Sequence, residues 1–323
     1  MVFSAVRIAA VLACVFVVAC TLVAQPMFES NQPSAASADE SRLRADVEAL
    51  SVKFHPRSWR DVENLDRAAE YIAGEMRRAG AEVEFQEFEA RGRGYRNVIG
   101  RFGAGGDGRK VILGAHYDAY EDTPGADDNA SGVAGLLELA RMIGADPPDA
   151  EIELVAYTLE EPPFFRSPQM GSAVHAASVA DERERIAGVI VLEMIGYFSD
   201  EPGSQSYPLA LLRLFYPGRG DFITVVSRWD QGAWIRTLKG GVKGATPLPV
   251  YSFRGPAALP GVDYSDHRNY WPHDIPAAMI TNTAFYRNPA YHTPQDTADR
   301  LDYERMGFVV VAVKEAVRRL LEE

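Results

Sequence analysis

Short apolar stretches alternate with amphipathic stretches along most of the chain. Nearly continuous apolar residues predict buried strands at 111–113, 152–159, 189–192, 222–226 and 277–280. Helical spacing of apolar residues predicts helices at 133–140, about 170–180 and 303–321. Buried strands interleaved with helices are typical of an α/β fold with a mixed, mostly parallel central sheet covered by helices on both faces. We therefore predict a single domain of this class from residue 41 to residue 323.

Two helices and a pair of strands are predicted before that alternation begins. Residues 41–52 and 61–78 each have apolar residues on one helical face, and the second stripe is the stronger. Residues 83–88 alternate apolar and polar side chains, whereas residues 95–100 are more apolar, and Gly and Arg residues separate the two stretches. The pattern predicts a hairpin or two neighbouring strands.

The N-terminus has the pattern of an export segment. Arg7 is the only charged residue before an uncharged stretch at 8–28, and residues 11–20 resemble the apolar core of a signal peptide. Val17-Val18-Ala19-Cys20 also resembles a bacterial lipobox, in which the cysteine becomes the lipidated first residue. An uncharged stretch of about 20 residues is just long enough to span a bilayer. A lipoprotein, a secreted protein and an uncleaved membrane anchor all remain open.

The chain is accordingly divided into three parts. Residues 1–25 form the signal or anchor segment, and residues 26–40, rich in Ser, Ala, Gln, Asn and Pro, form a flexible tether. Residues 41–323 form the globular domain. We expect an exported protein of the periplasm or cell envelope, attached to the membrane through a lipid at Cys20 or through the N-terminal helix where that segment is retained.

Composition excludes several classes of protein. The 323 residues carry a formal net charge of −12 without a dense Lys/Arg cluster, so we expect no nucleic-acid partner. Cys14 and Cys20 are the only cysteines, so the chain beyond them has no disulfide, no cysteine-ligated zinc and no thiol nucleophile.

A histidine and several carboxylates are concentrated in a Gly/Pro-punctuated loop at 114–132, between a predicted strand and a predicted helix. His116 and Asp118 form a His-x-Asp pair at the strand end, which suits a metal-binding imidazole whose second nitrogen is oriented by a carboxylate. We interpret the loop as half of a two-metal site.

Other candidate ligands follow the ends of other predicted strands. Glu160 and Glu161 follow the strand at 152–159, Glu193 follows the next one, and His292 lies somewhat beyond the last. Because ligands of open α/β sheets bind at the carboxyl ends of the strands, we expect these side chains to converge on one edge. Imidazoles and carboxylates without thiolates suit Zn²⁺ or a similar first-row ion.

Five motifs occur in order along the chain, and together they resemble the co-catalytic zinc aminopeptidase family. They are Gly-Ala-His-Tyr-Asp (114–118), Pro-Gly-Ala-Asp-Asp-Asn-Ala-Ser-Gly (124–132), Glu-Glu (160–161), Ser-Asp-His-Arg-Asn-Tyr-Trp (265–271) and Tyr-His-Thr-Pro-Gln-Asp-Thr (291–297). Relatives of that family include glutamate carboxypeptidases, glutaminyl cyclases and the transferrin receptor ectodomain. The resemblance extends from about residue 57 to the C-terminus.

The resemblance implies two zinc ions per chain. The implied metal ligands are His116, Asp128, Glu161, Glu193 and His292. Asp128 would bridge the two ions with one oxygen on each, and Asp127 is its alternative. Glu193 stands where many members of the family have Asp.

The resemblance also implies roles for residues that do not bind metal. Glu160 would be the general base that takes a proton from the bridging water. Asp118 would hold the His116 ring, and Tyr291 would hydrogen-bond the developing oxyanion. Adjacent residues of a strand point to opposite faces, so the Glu160–Glu161 turn must be irregular to present both carboxyls.

The implied function is exopeptidase hydrolysis of peptides, most directly as an aminopeptidase. Two alternatives remain, a glutaminyl cyclase that uses one zinc and a catalytically inactive binding or receptor domain. The sequence indicates neither the preferred substrate residue nor an oligomeric state.

Three further features are left with weaker interpretations. Residues 198–220, rich in Pro and aromatics, form either a rim or lid over the site or an ordinary surface insertion. Asp266 and His267 support the site without binding metal. His175, in a predicted helix, is interpreted as a surface or helix-packing residue.

Overall fold

Eight strands form one sheet in the part of the chain that the computed structural model describes, residues 2–24, 30–103 and 108–322. The strands are β1 (Glu82–Ala90), β2 (Arg93–Phe102), β3 (Lys110–His116), β4 (Glu151–Tyr157), β5 (Ile186–Glu193), β6 (Ile223–Arg228), β7 (Val250–Gly255) and β8 (Ala277–Thr281). The helices are α1 (Val2–Ala24), α2 (Glu40–Glu48), α3 (Val62–Arg78), α4 (Gly132–Ala145), α5 (Gly171–Ser178), α6 (Gly232–Val242) and α7 (Tyr303–Glu322). Short helical turns include Ala49–Lys53, Ala126–Ser131, Ala210–Leu214 and Asp266–His273.

The spatial order of the strands is β1-β2-β4-β3-β5-β8-β6-β7. The centre, β4-β3-β5-β8, is parallel, and β7 is parallel to β6. The pairs β1–β2, β2–β4 and β6–β8 are antiparallel. The predicted α/β fold with a mixed, mostly parallel sheet is confirmed, and the two strands predicted before it form a hairpin.

The two faces of the sheet are covered by different elements. Val111 and Leu113 of β3 belong to the apolar cluster that includes residues of α3, α4 and α7, whereas Ile112 belongs to a second cluster with Tyr270. This alternation follows from the opposite directions of successive side chains along a strand. The centre of the sheet is therefore buried on both faces, as its apolar sequence predicts.

The sequence pattern did not predict β7 or α6. The six residues of β7 form an edge strand in which buried and partly exposed positions are mixed, so no continuous apolar stretch marks it. Helix α6 begins at Gly232 and includes Gly240 and Gly241, and glycine disfavours helices by about 1 kcal/mol relative to alanine. In both elements tertiary contacts outweigh weak local preference.

The stretch before α2 lies against the domain. The backbone N–H of Asn31 donates to the Lys243 carbonyl at 2.7 Å, and that of Ser34 donates to the Ala245 carbonyl at 2.9 Å. The predicted flexible tether is thus bound over its described part, and residues 26–29 lie outside the described residues. Within the described ranges, no helix is both long and apolar enough to cross a membrane.

Candidate metal centre

Five side chains meet at the carboxyl end of the central strands. His116 and Glu193 are the last residues of β3 and β5, and Glu161 follows β4 by a few residues. Asp128 lies in the helical turn that precedes α4, and His292 lies in the connection between β8 and α7. All five predicted metal ligands are therefore brought together, although they come from five separate segments.

The five side chains form two groups that share Asp128. In the first, Nε2 of His116 lies 3.4 Å from Oδ1 of Asp128 and 3.5 Å from Oε2 of Glu193. In the second, Nε2 of His292 lies 3.1 Å from Oδ2 of Asp128 and 3.2 Å from Oε2 of Glu161. Asp128 thus directs one carboxylate oxygen to each group, as a bridging carboxylate does.

The donor atoms of these groups fit a pair of cations. Among the described residues, Nε2 of His116, Nε2 of His292 and Oε1 of Glu161 are buried without a hydrogen-bond partner. Burying such atoms costs free energy unless a partner satisfies them. A first-row ion that prefers nitrogen and oxygen ligands would satisfy these atoms, so the residues present fit zinc.

Burial and neighbouring charges shift the pKa values of the side chains in the centre. Burial raises the pKa of the Glu160 carboxyl well above its ordinary value, and burial raises the pKa of Glu161 to about 7. Burial alone would lower the pKa of the His292 imidazole, but the neighbouring carboxylates of Asp128 and Glu161 outweigh this and raise the pKa to about 10. The carboxylates of the centre therefore stabilise positive charge, and a bound divalent ion would supply that charge.

Asp127, the alternative to Asp128, lies outside both groups. Its fully buried carboxylate accepts hydrogen bonds from the backbone N–H of Gly196 at 2.9 Å and from the side-chain amides of Asn282 and Asn288, each at 2.9 Å. It therefore ties the turn before α4 to the segments after β5 and β8. Of the two neighbouring aspartates, Asp127 therefore holds the backbone and Asp128 contacts both ligand groups.

Two residues for which the sequence predicted no role, Asp296 and Asn129, fix the turn carrying Asp128. The Asp296 carboxylate accepts the backbone N–H groups of Asp127 and Asp128 at 3.0–3.2 Å. The Asn129 side chain donates to the Leu192 carbonyl at 2.8 Å and accepts the Met194 N–H at 3.0 Å, which joins the turn to the end of β5. Asn129 lies in the motif at 124–132 and Asp296 in the motif at 291–297. Their roles depend on which segments are adjacent in the fold, which the motifs do not indicate.

Asp118 contacts the centre in two ways. Its backbone carbonyl lies 3.2 Å from Nδ1 of His116, closer than its carboxylate oxygen at 3.5 Å. The carboxylate also accepts the backbone N–H groups of Glu160 at 3.2 Å and Glu161 at 3.1 Å. Asp118 therefore positions both the imidazole and the turn with the two glutamates.

Backbone strain is concentrated where the ligands leave the strands. Leu159, Met194 and His292 have φ values of +60°, +50° and +55°, in the left-handed region that L-residues rarely adopt. The irregular turn expected at Glu160–Glu161 thus begins at Leu159. Such strain is typical of sites whose geometry the surrounding structure imposes.

Arg57 is a buried cation beside the acidic centre, and the sequence predicted no role for it either. Its guanidinium donates to the carbonyls of Leu50, Tyr117, Pro124 and Gly125, and it is fully buried. Burial lowers its pKa to about 10, where it is still protonated at neutral pH. The side chain therefore fixes both ends of the loop between β3 and the Asp128 turn.

Two tyrosines enclose the His292 ring. The Tyr291 ring is stacked at 3.8 Å and 15° on one side, and the Tyr120 ring at 4.0 Å and 2° on the other. Burial raises the pKa of the Tyr291 hydroxyl, and the nearby carboxylates Asp128 and Glu161 raise it further. Tyr291 thus stays a protonated hydrogen-bond donor beside the centre, as its predicted role requires.

The remaining histidine predictions have different outcomes. His175 is fully buried, so a surface position is wrong: its Nδ1 lies 2.7 Å from the Tyr270 hydroxyl, and its Nε2 lies 3.1 Å from Glu153. The chain places this histidine in the packing between α5 and the sheet. Asp266 and His267 are buried and belong to neither ligand group among the described residues.

An apolar cavity opens beside Glu193. Its empty volume is about 710 Å³, including space open to solvent, and seven of its nineteen lining residues are aromatic. The aromatic lining residues are Tyr207, Tyr216, Phe222, Phe253, Tyr264, Phe285 and Tyr286. Residues from 206 to 216 thus form one wall of a cavity that reaches the metal centre.

Similarity to known proteins agrees with this geometry. The Escherichia coli (strain K12) protein YfbL is 48% identical over 307 residues, which cover 93% of this chain and 94% of YfbL. The probable lipoprotein aminopeptidase LpqL of Mycobacterium tuberculosis is 33% identical over 258 residues, and the match spans 72% of this chain but only 46% of LpqL. The structure of BSAP, a zinc aminopeptidase from Bacillus subtilis, superposes with a TM-score of 0.70 at 16% identity and covers 87% of this chain and 94% of BSAP.

The profile of peptidase family M28 matches residues 97–317, which include all five predicted metal ligands. That match spans more than half of the chain, and the superposition on BSAP shows the same fold. The chain therefore belongs to peptidase family M28, which confirms the resemblance of its motifs to the zinc aminopeptidases and makes it a zinc-dependent metallopeptidase by family.

Proposed function

We propose that this chain is an aminopeptidase that removes N-terminal residues from peptides and holds two zinc ions. The observation that carries the proposal is the pair of ligand groups sharing Asp128, with one carboxylate oxygen directed to each. His116 and Glu193 would complete one zinc site, and Glu161 and His292 the other. Bound zinc ions lower the pKa of a water molecule and polarise a carbonyl.

Glu160 is the residue that we assign to proton transfer. Its carboxylate belongs to neither ligand group, yet Oε2 lies 3.9 Å from Nε2 of His116, so it faces the same space. Hydrogen bonds from the Glu160 and Glu161 backbones to Asp118 hold the turn in place. A carboxylate in this position takes a proton from the attacking water and returns it to the leaving amine.

Tyr291 is assigned to the charge that develops on the scissile carbonyl oxygen. Its ring is fixed by stacking on His292, and its hydroxyl remains protonated because burial raises its pKa. A preorganised hydroxyl donor stabilises an oxyanion without reorganising during the reaction.

The cavity beside Glu193 would receive the side chain of the first substrate residue. Its aromatic lining favours a large apolar side chain, because burying such a group gains roughly 1.5–3 kcal/mol. We therefore expect Leu, Met and Phe at the substrate N-terminus to be preferred over Ala, Asp or Lys.

We also propose that the protein is exported and held at the cell envelope through its N-terminal segment. The uncharged stretch at 8–28 and the lipobox-like Val17-Val18-Ala19-Cys20 support this location. The name of LpqL, a probable lipoprotein aminopeptidase, is consistent with it.

The test is hydrolysis of aminoacyl-coumarins by the purified protein, after chelation and after zinc is returned in counted amounts. We expect activity to rise with zinc up to two ions per chain, and N-acetylated substrates to remain intact. Activity on blocked substrates alone would contradict aminopeptidase action. One zinc per chain with cyclisation of N-terminal glutamine would instead support the cyclase.

The role of Glu160 is tested with Glu160→Gln and a matched control, Glu121→Gln, in the exposed part of the β3–α4 loop. We expect Glu160→Gln to lose at least about 100-fold in kcat while keeping its zinc content, because proton transfer contributes roughly 10²–10⁴-fold. Glu121→Gln should retain full activity. A Glu160→Gln variant as active as the parent would exclude this role.

A further inference from the structure

Three leucines are exposed together on the outer face of the segment that forms the cavity wall. Leu209, Leu211 and Leu214 are 48%, 61% and 69% exposed. Among the described residues beyond α1, only two other large apolar side chains, Val52 and Trp229, are exposed to this degree, and they lie elsewhere in the sequence. Such clustering marks an interaction surface, whereas single exposed apolar residues do not.

The exposure of these leucines is imposed by a well-held backbone. The Tyr207 hydroxyl donates to the Pro217 carbonyl, and the Tyr216 hydroxyl donates to the Ser252 carbonyl of β7, both at 2.6 Å. Leu212, between the exposed leucines, is buried in the cavity wall. The segment therefore has an inner face that closes the cavity and an outer face of leucines.

The apolar N-terminal helix reaches the same surface. The ring of Phe16 in α1 lies 5.5 Å from the ring of Phe215, which directly follows the turn with the exposed leucines. The described side chains of α1 from Val6 to Val18 include seven exposed large apolar residues. Helix α1 and the leucines together form one apolar surface at the β7 edge of the sheet.

The chain enters the domain at that edge as well. The Asn31 backbone donates to the Lys243 carbonyl, and its side chain donates to the Gly241 carbonyl at 3.1 Å, just before β7. Asn31 lies eleven positions after Cys20, and an extended chain spans at most about 3.6 Å per residue. Attachment at Cys20 therefore keeps the β7 edge within about 40 Å of the bilayer.

We propose that the outer face of residues 209–215 rests on a phospholipid bilayer and orients the domain with its β7 edge toward the membrane. The leucines would enter the acyl-chain boundary, and the exposed Arg213 between them would reach lipid phosphates. The net charge of −12 disfavours purely electrostatic binding, so apolar contact dominates. The proposal rests on the proposed N-terminal attachment and is independent of the peptidase chemistry.

Tryptophan placed in the surface tests the contact directly in the full-length chain. Leu211→Trp is compared with Val52→Trp, a matched position that is 69% exposed on a different element. Each variant is bound to phosphatidylcholine vesicles with brominated acyl chains, and attachment is verified by co-sedimentation. We expect the bromines to quench the emission added at position 211 and to leave the emission added at position 52 unchanged.

Equal quenching at both positions in attached protein would overturn the proposal. Failure of the parent chain to co-sediment with the vesicles would overturn it as well. Peptide hydrolysis measured in the same samples would then show whether the proposed peptidase activity holds independently of membrane contact. A shift of the position-211 emission that depends on protein concentration without vesicles would assign the surface to a second copy of the chain. That outcome would also overturn lipid contact.

Discussion

Individual buried charges decide how the metal centre is held. Arg57 belongs to neither ligand group, but it donates to four carbonyls around the loop that leads to Asp128. Asp118 and Asp296 accept backbone N–H groups from the turns that carry Glu161 and Asp128. Each of these residues acts on a ligand by fixing its backbone, as supporting residues of metal sites commonly do.

Replacing Arg57 by Met should destabilise the fold and weaken metal binding together. Carbonyls that lose their donor inside the protein cost roughly 1–3 kcal/mol each, so for four carbonyls we expect a loss of at least about 4 kcal/mol in the free energy of unfolding. Urea unfolding and zinc titration measure the two effects. Arg60→Met, at an exposed arginine close by, is the control and should change neither. Equal stability of the two variants would contradict the structural role of Arg57.

His267 should make the fold sensitive to acid. Burial lowers its pKa to about 4 in the folded protein, against an ordinary value near 6.5. Between these pH values the unfolded chain binds a proton that the folded chain excludes, so this stability is complete above pH 6.5 and is lost as the pH falls to 4. The loss amounts to about 3 kcal/mol.

The measurement for His267 is the urea midpoint of zinc-free protein at several pH values. His267→Asn should be less stable than the parent at pH 7 but should show a flatter decline toward pH 4. An identical pH slope in parent and variant would assign the acid sensitivity to other groups.

At the scale of secondary-structure elements, close packing between strands fixes the positions of the predicted ligands. Gly114 in β3 leaves room for the Tyr157 ring of the neighbouring strand, since a Cβ at Gly114 would lie 2.3 Å from that ring. The Tyr157 hydroxyl lies 2.6 Å from that of Tyr270, which in turn contacts His175. The position of β3, and with it His116, therefore depends on a glycine two residues before the ligand.

Gly114→Ala should consequently destabilise the protein by about 2 kcal/mol, in the range of overpacked cores. Gly108→Ala is the matched control, because a Cβ there meets no atom within 4 Å. Thermal unfolding of both variants measures the difference. A Gly114→Ala variant as stable as the control would show that Tyr157 moves aside without cost.

The sequence predicted the elements with regular patterns and the residues with distinctive chemistry. Continuous apolar stretches located β3, β4 and β5, and strand ends led to His116 and Glu193. The edge strand β7 and the glycine-containing α6 lacked such a pattern. The role of Arg57 was not predicted because its partners are backbone carbonyls. Every residue has a carbonyl, so only the folded structure shows which ones Arg57 contacts.

At the scale of the whole molecule, the sheet brings four buried carboxylates together, from Asp128, Glu160, Glu161 and Glu193. Zinc ions, which membership of family M28 implies, would offset this charge. The fold brings the predicted ligands to one edge of the sheet. The motifs predicted the side chains that the fold brings together, whereas the supporting hydrogen bonds required the three-dimensional arrangement.

Zinc should therefore contribute to the stability of the whole domain. A ligand at 100 times its Kd stabilises the native state by about 2.7 kcal/mol per site, which for two sites corresponds to a rise in Tm of about 10 °C. Scanning calorimetry with and without a chelator measures this shift. A variant carrying His116→Ala and His292→Ala should show no response to the chelator, and an equal response would place the stabilising ions elsewhere.

The turn that carries Asp128 is tied to both halves of the centre. Asn129 joins it to the end of β5 beside Glu193, and Asp296 joins it to the segment after His292. A cation in either group would therefore order the backbone that presents ligands to the other. The two sites are expected to fill cooperatively, so that the second ion binds to a protein whose conformational entropy the first has already reduced.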